Sequence, residues 1–272
     1  MLTLRYIVNI YIMKSIDDKD LKSIQIDIMQ SVHDFCEANN LKYFLAYGSL
    51  LGAVRHSGYI PWDDDIDIVM PRPDYEKFRE TFNTNTGHYK FIDYLNTPTY
   101  SIPFGKVHDT RTHINEGMYK EDCFGVYIDV FPLDGVVDEK RIVKNKWFLK
   151  FLYAKKSVID GQRTLQKNII MLLGKLVLLP FSTHDIIGWI DKSNKSVPYS
   201  EASKVAGTCI YGLREILDKT IFDKSVKHKF EDREFCIPVE YDKYLTTLYG
   251  DYMKLPPVEK RVTHHTFEAW WK

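Results

Sequence analysis

The chain has 272 residues, 44% of them hydrophobic, which is enough apolar material for one large packed domain or two small ones. Its 37 basic and 37 acidic residues give a formal net charge of zero, so no global field draws the protein to nucleic acid or to anionic lipid. This balance argues against a nucleic-acid polymerase.

The N-terminal residues 1–12 are apolar, but they are fewer than the about 20 residues that a membrane span needs, and no signal cleavage site follows them. We therefore expect residues 1–16 to be an extension or a loose segment, with membrane contact as the alternative. The cysteines stand far apart without a Cys-x-x-Cys pair, which favours a reduced, cytoplasmic protein without a zinc site. They are Cys36, Cys123, Cys209 and Cys236.

The first predicted elements are a helix, a strand and a second helix. A helix from Asp17 or Asp18 to about residue 39 is indicated by apolar residues at helical spacing. Residues 43–47 are rich in aromatic side chains and predict a strand, and Gly48-Ser49 then turns into a short helix over residues 50–55. A Gly-Ser pair at a helix N-terminus offers backbone N–H groups and a hydroxyl to an anion, so we expect phosphate binding there.

Four aspartates, at positions 63, 64, 65 and 67, precede an Ile-Val-Met run that predicts a buried strand. Side chains alternate along a strand, which puts Asp65 and Asp67 on one side, together with Asp63 if the strand already begins there. Asp64 would face the other way, as a structural hydrogen-bond acceptor. Two carboxylates about 4 Å apart repel by roughly 4 kcal/mol at an effective dielectric near 20, so the arrangement calls for a cation. Oxygen ligands favour Mg²⁺ or Mn²⁺ over zinc.

The segments that follow predict more of the same sheet. A helix is expected over residues 73–82, a loop over 83–87, and strands over 89–94 and 104–108, with 110–114 as a further candidate. Residues 126–131 alternate like a strand, with Asp129 as their one acid. Residues 138–196 are helical by periodicity, and a final helix is predicted over 239–249.

Strand, Gly-Ser turn, helix and Asp-x-Asp is the pattern of the nucleotidyltransferase superfamily, to which DNA polymerase beta belongs. The longer stretch Gly-Ser-Leu-Leu-Gly-Ala-Val-Arg-His-x-Gly-x-Ile-Pro-Trp-Asp-Asp-Asp-Ile-Asp resembles the LicD family, whose eukaryotic relatives include fukutin and the fukutin-related protein. Segments 106–112, 125–135 and 249–257 agree with it, as do Lys260, Arg261, His264 and His265. The resemblance runs from about Asp18 to the C-terminus and is weakest from about 140 to 225.

The resemblance implies an α/β (α+β) protein with a polymerase-beta-like nucleotidyltransferase fold, a mixed sheet flanked by helices and an additional helical region. Residues 17–272 would form one domain, with a core over 40–135, a helical part over about 138–200 and a C-terminal segment over 225–272. The apolar run 169–181 is too short to span a bilayer. It is interpreted as a core helix, with an apolar surface that meets a lipid-linked acceptor as the alternative.

The resemblance also assigns the site. In polymerase-beta-like enzymes a third carboxylate from a neighbouring strand completes the metal site, and Asp129 has that context, with Asp134 as the alternative in a turn after Pro132. The expected catalytic residues are Asp65, Asp67 and Asp129. The expected ligands of Mg²⁺ or Mn²⁺ are Asp63, Asp65, Asp67 and Asp129. The expected substrate-binding residues are Gly48, Ser49, Arg55, Lys106 and Arg111.

Some nearby residues stay open between two roles. Trp62 either anchors the loop or stacks on a base or on a choline cation. His56 either fixes the loop or touches the substrate. His264 and His265 are expected to be a satisfied pair near the surface, with catalysis as the alternative.

The implied activity is metal-dependent transfer of a phospho-alcohol to a hydroxyl of a cell-surface glycan or glycolipid precursor, with release of CMP. CDP-choline is the expected donor, and CDP-ribitol serves the fukutin branch. The alternatives are nucleotidyl transfer from an NTP to a small molecule or sugar, and a catalytically silent glycan-binding protein. We expect a cytoplasmic location, with peripheral contact at the inner face of the membrane as the alternative, and no nucleic-acid partner.

Overall fold

The computed structural model describes residues 14–115, 124–156, 165–207, 212–263 and 268–272. The expectations for residues 1–12, for Cys123 and Cys209, and for His264 and His265 lie outside these ranges.

Within them the chain forms short strands and seven α-helices. The strands are β1 (Ser15–Ile16), β2 (Phe44–Leu45), β3 (Asp67–Pro71), β4 (Tyr89–Ile92), β5 (Gly105–Asp109), β6 (Thr112–Asn115), β7 (Tyr127–Val136), β8 (Lys204–Ala206), β9 (Leu217–Asp218), β10 (Ser225–Phe230), β11 (Arg233–Pro238) and β12 (Glu268–Trp271). The helices are α1 (Asp18–Asn39), α2 (Tyr47–His56), α3 (Arg72–Thr81), α4 (Glu139–Lys156), α5 (Leu165–Val177), α6 (Thr183–Asn194) and α7 (Tyr241–Tyr249).

The main sheet has seven strands in which β2, β3, β7, β5 and β4 are successive neighbours, while β8 pairs with the second half of β7 and β9 pairs with β8. β3 and β7 run parallel and the other pairs are antiparallel, so the sheet is mixed. Helices α1, α2 and α3 contact it. The predicted α/β architecture, with a mixed sheet flanked by helices, is confirmed.

The two central strands are apolar because they are covered on both faces. Ile68, Val69 and Met70 of β3 are at most 1% exposed, and every residue of β7 is buried except Asp129, which is intermediate. Continuous apolar strands of this kind are typical of a sheet with helices on both sides. An acid at the start of β3 or in the middle of β7 therefore interrupts otherwise buried strands.

Several boundaries differ from those predicted. β3 begins at Asp67, so residues 63–66 form an irregular segment that follows a turn at 61–62, and the alternation expected for the aspartates does not apply to them. β7 continues past Pro132, and Asp134 is a strand residue instead of a turn residue. Asp134 is tolerated there because both of its oxygens accept hydrogen bonds of 2.6 Å from Arg72.

Two parts of the fold were not foreseen. β6 does not join the main sheet but pairs with the C-terminal strand β12, which also pairs with β1. The fold therefore begins before residue 17. β10 and β11 form a hairpin with six paired positions.

Helices α4, α5 and α6 form the predicted helical part. α4 packs on α6 through a cluster of Leu149, Leu152, Ile186, Ile187 and Ile190. The core-helix interpretation of residues 169–181 is wrong for most of the described side chains there, because Ile169, Leu172, Leu173, Leu176 and Val177 are exposed while Leu178 is buried. In the parts of the chain that the structure describes, no helix is both long enough and apolar enough to cross a bilayer.

Candidate active site

Three charged residues lie side by side across the centre of the main sheet. Asp67 of β3 is the register partner of Asp129 of β7, and Asp129 is the register partner of Lys106 of β5. Directly paired residues of neighbouring strands share one face of a sheet. Lys106 is 3% exposed, and its Nζ lies 2.6 Å from Asp129 Oδ1 and 3.3 Å from the centre of the Tyr127 ring. The row thus contains two carboxylates and one buried cation.

The loop of residues 62–66 before β3, here called the acid loop, adds three more carboxylates. Asp63, Asp64 and Asp65 are half-buried and each places a carboxylate oxygen within 4.8 Å of those of the other two. The strand pattern predicted that Asp64 faces away, and this is wrong, because Asp64 lies in an irregular loop before the strand, where side chains do not alternate between two faces. Its carbonyl oxygen accepts a hydrogen bond from Gln25 instead.

Gly48 and Ser49 lie in the first turn of α2, where backbone N–H groups have no acceptor within the helix itself. A β-carbon at Gly48 would lie 2.6 Å from Asp63 Oδ2, so the absence of a side chain lets this carboxylate approach the helix. The Ser49 hydroxyl accepts a 2.8 Å hydrogen bond from the Asp67 backbone N–H. The Gly-Ser pair is thus built against two of the predicted metal ligands.

The electrostatics of the site favour a bound cation. Burial raises the pKa of Asp67 well above its usual value, and the negative charges of Asp65, Asp129 and Asp63 raise it further, while Lys106 lowers it. A site made only of carboxylate oxygens suits Mg²⁺ or Mn²⁺. The residues present therefore fit the metal that the sequence predicted.

A residue of α1 that the sequence analysis did not single out holds the backbone of the acid loop. Gln25 of α1 is 2% exposed, and its amide donates to the carbonyl oxygens of Asp64 at 2.9 Å and Tyr127 at 3.3 Å. The Tyr59 hydroxyl donates to Gln25 Oε1 at 2.9 Å. The sequence does contain a signal for this role, because Gln25 is the one amide in the stripe of otherwise mainly apolar residues that α1 buries.

A cationic and aromatic flank borders the acid loop. Arg55, at the end of α2, donates to His56 Nε2 at 2.9 Å and to the Tyr252 carbonyl oxygen at 2.7 Å. The Arg261 guanidinium lies 5.5 Å from the Trp62 ring, and the His56 ring meets Trp62 edge-on at 6.4 Å. Burial lowers the pKa of Arg55, and the charge of Arg261 lowers it further, which indicates two cations held close together.

Arg111 is the predicted site residue that the structure does not bring to the acids. It follows the far end of β5 from Lys106, and its guanidinium donates to both oxygens of the buried Asp109. Its side chain is 49% exposed and lies 5.5 Å from the Trp271 ring. These contacts connect the main sheet to the small sheet of β1, β6 and β12.

A second group of possible ligands lies elsewhere. Atoms of His33, Glu37 and Cys236 fall within 4.8 Å of one another, although the cysteine spacing had predicted no zinc site. These side chains already have protein partners. His33 Nδ1 lies 2.7 Å from the Tyr43 hydroxyl, and Glu37 pairs with Lys227 at 3.2 Å. We interpret this group as part of the packing between α1 and the hairpin.

Comparison with known proteins decides the family. The chain is 31% identical over 279 residues to the lipopolysaccharide cholinephosphotransferase LicD of Haemophilus influenzae, and the match covers 95% of this chain and 99% of that protein. The chain belongs to the LicD family. Residues 40–160 match the family described as LicD/FKTN/FKRP, nucleotidyltransferase domain.

The match to the LicD domain contains the Gly-Ser pair, the acid loop and the row of Asp67, Asp129 and Lys106. Two shorter similarities are to uncharacterized proteins of Rickettsia. One, from Rickettsia typhi, is 45% identical over 53 residues, which is 20% of this chain and 17% of that protein. The other, from Rickettsia prowazekii, is 49% identical over 47 residues, which is 17% of this chain and 18% of that protein.

Proposed function

We propose that this protein is a phosphotransferase that moves phosphocholine from CDP-choline to a sugar hydroxyl of a lipopolysaccharide or related surface glycan, with release of CMP. The observation that carries the proposal is the similarity to a lipopolysaccharide cholinephosphotransferase over 95% of this chain. The acid cluster at the N-terminus of α2 supports it, as does the register pairing of Asp67 in β3 with Asp129 in the parallel strand β7. We infer from the same features that the fold is of the nucleotidyltransferase type.

Asp63, Asp65, Asp67 and Asp129 would hold the Mg²⁺ or Mn²⁺ ion. When bound there, the ion would polarise the phosphoryl group that is transferred and neutralise charge on its oxygens. Lys106, whose Nζ lies 2.6 Å from Asp129 Oδ1, would hold this carboxylate in place beside Asp67.

The chain's own residues would bind and orient the donor. The first turn of α2 at Gly48 and Ser49 offers N–H groups to the phosphate oxygens. Arg55 and Arg261 supply positive charge beside the acid loop, and Trp62 offers an aromatic face to the base or to the choline cation. The acceptor hydroxyl would then attack the phosphorus atom of phosphocholine, CMP would leave, and the hydroxyl proton would pass to a carboxylate of the acid loop.

The test is a thermal shift measurement with Mg²⁺ and a panel of CDP-choline, CDP-ethanolamine, CDP-glycerol, CDP-ribitol, CTP and ATP. A ligand at about 100 times its Kd stabilises by roughly 2.7 kcal/mol, which is a shift of several degrees for a chain of this size. We expect this shift with CDP-choline, dependent on Mg²⁺ and lost in the Asp65→Asn, Asp67→Asn double variant. CMP release with lipopolysaccharide as acceptor should be lost with it.

The matched control is Asp232→Asn, which removes an exposed carboxylate outside the site and should leave the shift unchanged. Stabilisation by CTP or ATP alone would replace the proposal with nucleotidyl transfer. If no nucleotide stabilises the wild-type protein, the glycan-binding alternative replaces it.

A further inference from the structure

The charge of the molecule is strongly segregated along the chain, although its total is zero. Residues 139–177, which include α4 and α5, contain ten basic residues and two acidic ones, so this stretch has a net charge of +8. The remaining residues must carry the opposite charge. A local field of this size attracts anionic surfaces even when the whole protein is neutral.

One face of α4 is apolar and exposed. Val143, Trp147 and Phe151 are 49%, 55% and 37% exposed, and their spacing of four residues places them on one side of the helix. The buried residues of α4, among them Ile142, Leu149 and Leu152, occupy the opposite side, where the helix packs on α6 and the body of the protein. The exposed stripe is therefore not needed for the packing of α4.

Lysines border the same stripe. Lys140, Lys144 and Lys150 are exposed residues of α4, and by helical spacing they flank Val143, Trp147 and Phe151. The Lys150 ammonium lies 4.6 Å from the Trp147 ring. Lysine side chains can lay their methylene stems along apolar surface and keep the charged end at the level of a polar layer.

Helix α5 presents a second apolar surface. Its residues Ile169, Leu172, Leu173, Leu176 and Val177 are 47% to 73% exposed, and Leu179 and Phe181 beyond the helix are exposed as well. α5 contains two lysines and no acid. Lys155 of α4 donates to the Leu178 carbonyl oxygen, which connects the ends of the two helices. Exposed apolar surface of this extent marks an interaction site.

A cationic cleft lies beside this surface. It has a volume of about 750 Å³, and Lys140, Arg141, Lys144 and Lys192 line it together with Phe148 and Trp189. The Trp189 ring also contacts Phe181 at 4.9 Å, so the wall of the cleft is continuous with the apolar surface after α5. The cleft therefore offers positive charge where a negatively charged group could lie beside aromatic rings.

We propose that the exposed faces of α4 and α5 dock on the surface of an anionic lipid bilayer. The apolar side chains would enter the boundary between headgroups and acyl chains, and the lysines would contact the lipid phosphates. Charge decides against a second copy of the same face, because two surfaces that each carry an excess of positive charge repel. The docking needs neither nucleotide nor metal, so it is tested separately from the transferase activity.

The experiment is co-sedimentation of the full chain with vesicles of phosphatidylcholine alone and of phosphatidylcholine mixed with phosphatidylglycerol. We expect binding to the anionic vesicles at least about ten-fold tighter than to the neutral ones. A Trp147→Ser, Phe151→Ser variant should lose about ten-fold in affinity. A Lys140→Glu, Lys144→Glu, Lys150→Glu variant, which leaves the apolar stripe intact, should lose the preference for anionic vesicles.

Matched controls change the same kinds of residue elsewhere. Met253→Ser with Val258→Ser removes exposed apolar side chains, and Lys204→Glu with Lys224→Glu and Lys229→Glu reverses exposed charges outside α4 and α5. Both should bind anionic vesicles like wild type, and thermal melts confirm that each variant is folded. The proposal is overturned if wild type binds both kinds of vesicle equally, or if the serine variant at 147 and 151 and the glutamate variant at 140, 144 and 150 bind anionic vesicles as wild type does. It is also overturned if light scattering shows a dimer that the Trp147 and Phe151 changes dissociate.

Discussion

At Gly48, the addition of one methyl group should weaken donor binding and leave the stability of the fold nearly unchanged. The backbone there is helical and not left-handed, so its φ and ψ angles suit alanine, which is favoured over glycine in a helix by about 0.5–1 kcal/mol. The new β-carbon, however, would lie 2.6 Å from Asp63 Oδ2 and displace this carboxylate. We expect Gly48→Ala to weaken Mg²⁺-dependent binding of CDP-choline about ten-fold while the free energy of unfolding stays within about 1 kcal/mol of wild type. Thermal shifts across a CDP-choline titration and urea unfolding measure the two effects.

Gly188 of α6 provides the control for this change. A β-carbon there meets no atom within 4 Å, so Gly188→Ala should stabilise by about 0.5–1 kcal/mol and leave donor binding unchanged. If Gly48→Ala binds the donor as tightly as wild type, the approach of Asp63 to the helix is not part of the site.

His108 makes the stability of the protein depend on pH. The pKa of His108 is lowered to about 4, mainly by burial and in addition by the charge of Lys272, while Asp109 raises it. His108 Nδ1 accepts a 3.0 Å hydrogen bond from the Gly125 N–H, which protonation would break. Because the folded pKa is below the unfolded value of about 6.5, this stability is present above pH 6.5 and is lost as pH falls towards 4. The loss should be about 1–3 kcal/mol in urea unfolding.

A His108→Asn variant keeps an acceptor near the Gly125 N–H and removes the titration. Its urea midpoint should therefore fall less than that of wild type between pH 6.5 and pH 4. His228→Asn, on the exposed hairpin, should follow the wild-type curve. Parallel curves for wild type and His108→Asn would show that His108 does not set this pH dependence.

At the scale of elements, one buried arginine joins a helix, a strand and the helical part. Arg72 at the start of α3 binds both oxygens of Asp134 in β7 and lies 3.2 Å from Asp191 of α6. Asp134 is 1% exposed, so it depends on this cation. Removal of one partner of such a buried pair costs about 3–5 kcal/mol. We expect Arg72→Met to lower the free energy of unfolding by this amount in urea experiments.

The double variant Arg72→Met, Asp134→Leu should regain a large part of that loss, since no buried charge is left without its partner. The control is Lys227→Met, which breaks an exposed pair with Glu37 and should cost less than about 1 kcal/mol. A small effect of Arg72→Met, similar to that of the control, would contradict the role given to this pair.

Local periodicity predicted the elements better than their partners. The helices at residues 18–39 and 72–81 and the strands around 89, 105 and 127 follow from apolar spacing and turn residues in their own sequence. The pairing of β6 with β12 joins segments more than 150 residues apart. No local pattern contains that information, since the sequence of each strand would predict a strand whichever other strand it paired with.

At the scale of the whole molecule, the segregation of charge should make membrane docking sensitive to salt. The Debye length falls from about 10 Å at 0.1 M salt to about 3 Å at 1 M, so the attraction between the lysines and lipid phosphates is screened. We expect the affinity for anionic vesicles to fall about ten-fold over this range, until it approaches the affinity for neutral vesicles. Co-sedimentation at several salt concentrations measures it.

The triple lysine variant should show a much weaker salt dependence than wild type, because it lacks the charges that salt screens. The variant with serine at positions 147 and 151 should keep a salt dependence of similar slope at lower affinity. A wild-type affinity that does not change with salt would contradict an electrostatic contribution.

The sequence by itself determined the α/β class, the helix that opens at the Gly-Ser pair, the presence of acids beside a buried strand, and the family. The helix and the acids follow from residue type and short spacing, which act within one element, whereas the α/β class and the family follow from the resemblance of the longer motif. Only the tertiary structure decided that Asp67, Asp129 and Lys106 form one row, and that Asp64 turns in with its neighbours. It also paired Asp134 with Arg72 and Arg111 with Asp109, away from the acid loop. Apolar side chains of α5, among them Leu173 and Val177, were left exposed. Each of these outcomes depends on which distant segment covers a given face, and that is a property of the packed chain.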